Sequence, residues 1–235
     1  MKQIMSILFW TGIFAVAMAF IESAVVVYLR ALYYPEGFAF PLKMMDQHLL
    51  ITEALREAAT IIMLFTIGVI ATKSWITRFA VFIYVFAIWD VFYYICLVFL
   101  LGWPPSIFTW DLLFLLPVIW VGPVLAPVIN SFTMIVLAVI ILYYRTKDKT
   151  FHLVIIELAL LITGSLIIIF DYTQPYMWYM LHRYSISGLI HFRHNPALLE
   201  YASGFKPVTF NWVIYVIGQL LYFWTICHVI KRMRE

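Results

Sequence analysis

The sequence predicts an all-α integral membrane protein, a bundle of six transmembrane helices with both termini in the cytoplasm. Two observations carry that prediction. Apolar residues fill 65% of the 235 positions and charged residues only 11%, with a mean hydropathy of +0.98. Soluble domains run at about 45–50% apolar and about 25% charged, so no water-exposed surface could absorb this composition. The apolar residues also fall into separate runs of about 20, the length that crosses the hydrocarbon core as a helix.

The runs place six spans at 4–29, 50–72, 79–101, 121–144, 151–170 and 212–230, within one transmembrane domain covering 1–235. The first run follows Lys2 and contains Ala17-Met18-Ala19, as a signal peptide can. It is too long for a signal-peptide core and is expected to be a retained helix. Before the fourth span, Gly122-Pro123 and Pro127 interrupt a long apolar stretch that starts at Leu112. Proline inside a helix removes a hydrogen bond and clashes with the preceding turn. The expectation is a short broken or re-entrant segment over 112–120 and then a kink; one long bent helix is the alternative.

Orientation follows the Lys and Arg of the short connections. Nine lie on one side (Lys2, Lys73, Arg78, Arg145, Lys147, Lys149, Lys231, Arg232, Arg234) and five on the other (Arg30, Lys43, Arg183, Arg193, Lys206). This predicts an N-in, C-in, multi-pass protein of the plasma or inner membrane. The outer side then carries the long aromatic loops, 30–49 and 171–211, where function concentrates more often than in tight turns. The stretch 172–183 reads as an amphipathic helix lying in the interface with an aromatic belt, or as a lid whose Arg183 meets a substrate headgroup.

Ionisable residues inside spans cost roughly 2.5–3.5 kcal/mol each at a helix centre on insertion scales, which makes them functional candidates. Here they are Glu22, Glu53, Arg56, Glu57 and Asp90, with Asp111 in the broken segment, Glu157 in the inner part of the fifth span and Asp171 at its outer end. At a rise of ~1.5 Å per residue, Glu22 and Glu57 lie roughly 10 Å below their outer helix ends and Asp90 about 16 Å. Three helices thus bring acids to one depth. Glu53, Arg56, Glu57 and Thr60 share one helical face, as do Asp90, Tyr93, Tyr94 and Leu97; a third polar stripe holds Asn211, Tyr215, Gly218, Gln219 and Tyr222. Such stripes are expected to face the bundle interior.

Four acids, Glu22, Glu53, Glu57 and Asp90, face a single cation, Arg56. An excess of that kind cannot stay unbalanced in a low dielectric. Protonated carboxyls would suit acid–base chemistry, a bound divalent metal would use oxygen ligands, and entering water would suit an ion path. The plain alternative is an ion-pair network that only ties helices together. A metal here would draw on His48, Glu53 and Glu57. His191 and His194 form a second, weaker metal candidate in the last loop. Haem is not expected, because the spans offer only His228, with His152 at a helix end. The two cysteines, Cys96 and Cys227, fall at opposite depths and form no disulfide framework.

The leading functional expectation is a membrane-embedded enzyme or ligand-binding protein acting on a lipophilic substrate: a lipid, isoprenoid or quinone. Glu53, Glu57 and Asp90 would do acid–base or metal-liganding work, Glu22 and Arg56 would set their charge, and Tyr93, Tyr94, Asp111 and Arg183 would bind substrate. The alternatives are an ion-coupled transporter or channel, and a non-catalytic subunit partnered by other membrane subunits. The bilayer is the expected surrounding. No basic run points to nucleic acid.

Overall fold

A computed structural model describes residues 2–185 and 196–234. Six helices in it are long and apolar enough to cross a membrane: α1 (Lys2–Tyr33), α2 (Gln47–Ala71), α3 (Trp75–Leu101), α4 (Leu125–Lys147), α5 (Ile155–Leu181) and α7 (Trp212–Arg232). A short helix, α6 (Pro196–Ser203), precedes α7. Large apolar side chains cover the outward faces, among them Ile62, Phe99, Ile155, Leu166 and Phe223. Exposed apolar surface on every long helix needs lipid as its solvent. The chain is therefore a multi-pass membrane protein.

Local chemistry ends the helices where they end. Ser74 opens α3 by accepting the Thr77 N–H, and Gly102 closes it in the left-handed region at φ 63°, a conformation that glycine adopts without a Cβ clash. Asn211 opens α7 by accepting the Ile214 N–H at 3.3 Å. Arg145 and Lys147 lie in the last turn of α4, and Lys231 and Arg232 in that of α7, where cations favour the helix dipole.

Two corrections to the expected spans follow. The stretch 110–123 is separate from the fourth helix, so the one long bent helix is not formed, and the segment is extended rather than helical. It is an antiparallel hairpin of β1 (Trp110–Phe114) and β2 (Trp120–Pro123), in register at Trp110–Pro123 and Leu112–Val121. The fourth helix starts at Leu125, just past Pro123. The other proline, Pro127, sits in its first turn, where a missing N–H costs nothing. Likewise α5 does not stop at 170. It runs on to Leu181 with Pro175 inside it, so most of 172–183 is membrane helix rather than an interfacial one.

The bundle centres on α3, which packs against α1, α2 and α4; α5 pairs with α7, and α4 and β2 join the two groups. A Cβ on Gly218 would lie 2.5 Å from Ile168 Cγ1, so only glycine lets α7 come this close to α5. One apolar core, including Ala15, Leu64, Val81, Val85, Leu137, Ile141 and Val229, fills the end of the bundle where both termini lie. The hairpin, the 34–46 connection and α6 cover the opposite end.

Candidate functional site

At that covered end lies a cavity of about 320 Å³, with walls from α1, α2, α3, the hairpin, α4, α5 and α6. Eight of the nine residues expected to be catalytic or substrate-binding line it: Glu22, Glu53, Arg56, Glu57, Asp90, Tyr93 and Tyr94 from the helices, and Asp111 from the hairpin. Arg183 does not. It is exposed, and its guanidinium lies 5.1 Å from the Tyr201 ring centroid, outside the cavity wall.

On α2, the three-residue offset that put Glu53 and Arg56 on one face lets Arg56 Nε donate to Glu53 Oε2 at 2.9 Å. The Arg56 guanidinium also donates through Nη2 to Glu53 and through Nη1 across to Glu22 on α1. Thr60, one turn further on, donates to Glu22 at 3.4 Å. One cation thus serves two carboxylates. Glu57 turns to the hairpin, where both its oxygens accept the Leu115 N–H, at 3.1 and 2.9 Å. Asp90 on α3 accepts the Ser131 hydroxyl of α4 at 2.8 Å.

Asp111 is buried at the β1 end of the cavity. It accepts the Tyr94 hydroxyl at 3.2 Å and faces Arg30 at 3.9 Å. Burial pushes its carboxyl up to about 6, against the opposing pull of the Arg30 charge and the Tyr94 hydrogen bond. Sequence reasoning counted Arg30 as an outer-loop cation. It belongs to α1, is buried, and its guanidinium stacks 3.8 Å from the Trp103 centroid and 4.8 Å from that of Phe38. The eight-residue offset from Glu22, which keeps both on one helix face, was the available signal.

The remaining wall is aromatic and apolar, with Phe86, Trp89, Phe114, Trp120, Tyr172 and Met134 prominent. Beside it, Asn130 of α4 donates to the Tyr172 hydroxyl at 2.9 Å and accepts from Tyr215 at 3.3 Å and from Gln219. Gln219 in turn accepts from Thr133 at 3.0 Å. The polar stripe on α7 therefore serves to fix α4, α5 and α7 against one another.

The three groups named as metal ligands do not converge. His48 is exposed and outside the cavity wall, and Glu53 is committed to Arg56, which leaves Glu57 alone of the three without a charged partner. Among the described residues no three His, Cys, Asp or Glu side chains form a ligand set. His191, Arg193 and His194 lie outside the described residues. Asp171, expected at a helix end, is buried within α5 and apart from the cavity wall.

At the far end of the bundle Glu157 forms a second charged cluster. Its carboxylate accepts the Val154 N–H at 2.9 Å, Arg232 Nε at 3.0 Å and Nη2 at 3.1 Å, and lies 3.0 Å from His228 Nδ1. No family model, no curated protein and no solved structure matches this chain.

Proposed function

We propose that the protein is a membrane-embedded enzyme or ligand-binding protein whose substrate is a membrane-dissolved lipophile and whose site opens to the extracytoplasmic side. One observation carries the reading: an apolar, aromatic cavity of about 320 Å³ that gathers Glu22, Glu53, Arg56, Glu57, Asp90 and Asp111 along its wall. Small-molecule sites are concave and mostly apolar, of roughly 300–1,000 Å³, with a few convergent polar groups that orient the ligand. A network that only tied helices together would have no use for the space.

Lys43 and Met44, both exposed, line the cavity where the 34–46 connection meets α2, and a ligand enters there. In this reading the end where the basic residues gather faces the cytoplasm of a plasma or inner membrane, as the excess of Lys and Arg there favours. In this reading Glu57 and Asp90 are the acid–base groups, since each meets a neutral donor and keeps capacity for a ligand. The Glu22–Arg56–Glu53 cluster sets the local field, and Tyr94 with Arg30 holds Asp111. Against transport, the core between the cavity and the termini is packed with Ala15, Leu64, Ala80, Val81 and Val85, side chains that do not suit an ion path.

The test is organic extraction of the purified protein followed by mass spectrometry, beside a Ser131→Phe variant that fills the cavity. A lipophile present at near-stoichiometric amount in the wild type and lost from the variant is the expected result. Equal, trace amounts in both would overturn the reading.

A further inference from the structure

The cavity wall is unevenly balanced in charge. Arg56 is shared between Glu22 and Glu53, and Arg30 faces Asp111. Glu57 and Asp90 have only neutral partners, the Leu115 amide and the Ser131 hydroxyl. Among the described residues, no Lys, Arg or His lies within 4 Å of either.

Next to these two carboxyls the aromatic wall is continuous. Ring centroids step from Phe86 to Trp89 at 5.4 Å, Trp89 to Phe114 at 6.3 Å, Phe114 to Trp120 at 5.6 Å and Trp120 to Tyr172 at 6.1 Å. The indole N–H groups of Trp89 and Trp120 are shielded and have no hydrogen-bond partner among the described residues. The cavity therefore meets these two rings through their carbon surface. Aromatic faces carry the negative lobe of the ring quadrupole and attract cations, Trp most strongly and more so away from water.

Uncompensated carboxyls and aromatic carbon surface on one cavity call for the same thing. We propose that the occupant bears a positive charge on an apolar body: a lipophilic organic cation, such as an alkylated amine, with its charge beside Glu57 and Asp90 and its body along the aromatic wall. The inference rests on the reading of the cavity as a lipophile site and narrows it. A phosphate- or carboxylate-bearing lipid would set like charge against the same two carboxyls, which a low dielectric disfavours.

The experiment uses a matched pair of probes on the full chain in lipid nanodiscs: benzyltrimethylammonium and its uncharged isostere neopentylbenzene. Binding is followed by quenching of tryptophan fluorescence. The cation is expected to bind about tenfold more tightly than the isostere, and the preference to vanish in the Glu57→Gln/Asp90→Asn double variant. If the double variant fails to fold by circular dichroism, the two single variants each carry half of the same test. Equal affinity for both probes would overturn the cation proposal and leave the lipophile site standing. A preference that survives the substitutions would place the cation elsewhere and overturn it too. Binding of neither probe overturns this inference, while the extraction experiment decides the underlying reading separately.

Discussion

Glu157 and Glu57 are both buried carboxyls on membrane helices, and their surroundings differ in a way that separates scaffold from site. Glu157 accepts four hydrogen bonds, from Val154, His228 and twice from Arg232, and lies outside the cavity wall. Its lone pairs are used and its charge is matched. Glu57 accepts one shared N–H, has no cation within 4 Å among the described residues, and borders open volume. Burial of charge alone does not mark function; burial that leaves charge and space unspent does.

Substitutions can break this contrast. The largest effect is expected at Arg56, which holds two carboxylates at once. Arg56→Leu strands Glu22 and Glu53 in a poorly solvated place and should cost about 3–5 kcal/mol in reversible unfolding in mixed micelles. Replacing Glu22 by Gln in that background should recover part of the loss, because one stranded charge is removed.

Asp111 tests the cavity side through pH. Its folded value of about 6 lies above the ordinary 3.8, so folding favours the protonated acid. Stability from this group is complete below about pH 4 and is lost as pH rises through about 6. The rise from 3.8 to about 6 corresponds to about 3 kcal/mol by linkage. Wild type should therefore lose ground to Asp111→Asn between pH 4 and 7 in thermal melts. Parallel curves for the two proteins would contradict this account of Asp111.

At the other end, Glu157→Ala should cost about 2–3 kcal/mol, less than a fully buried pair because Arg232 and His228 are partly hydrated. Lipophile retention per folded protein should not change. The smallest stability effect is expected for Glu57→Gln, within about 1 kcal/mol, since the amide oxygen still accepts the Leu115 N–H. That same variant should change what the cavity retains. Stability lost at Glu157 without ligand loss, and ligand loss at Glu57 without stability loss, would sharpen the contrast. The reverse pattern would dissolve it.

Much of the site is legible in the amino-acid sequence, because helical periodicity is strict. Glu53, Arg56, Glu57 and Thr60 share a face by spacing alone, and counting residues from the helix ends brings Glu22 and Asp90 to the same level. The hairpin is not legible. Apart from Asp111 its strands are apolar, so 112–120 has no polar alternation to distinguish strand from helix. The extension of α5 is hidden for the opposite reason: Asp171 and Gln174 break the apolar run, yet the helix continues and packs Tyr172 against Trp120, Phe210 and Tyr215. The Leu115 amide under Glu57 and the Ser131 hydroxyl on Asp90 come from partners 58 and 41 residues away, which no local pattern reports.

The most direct test is photolabelling with a lipophilic diazirine in nanodiscs, with labelled peptides mapped by mass spectrometry in wild type and in Ser131→Phe. The account predicts labelling at Phe86–Tyr94 and along the hairpin that Ser131→Phe abolishes, over an unchanged background on lipid-facing residues such as Ile155 and Phe223. Labelling that is confined to the lipid-facing surface, and identical in both proteins, would contradict it.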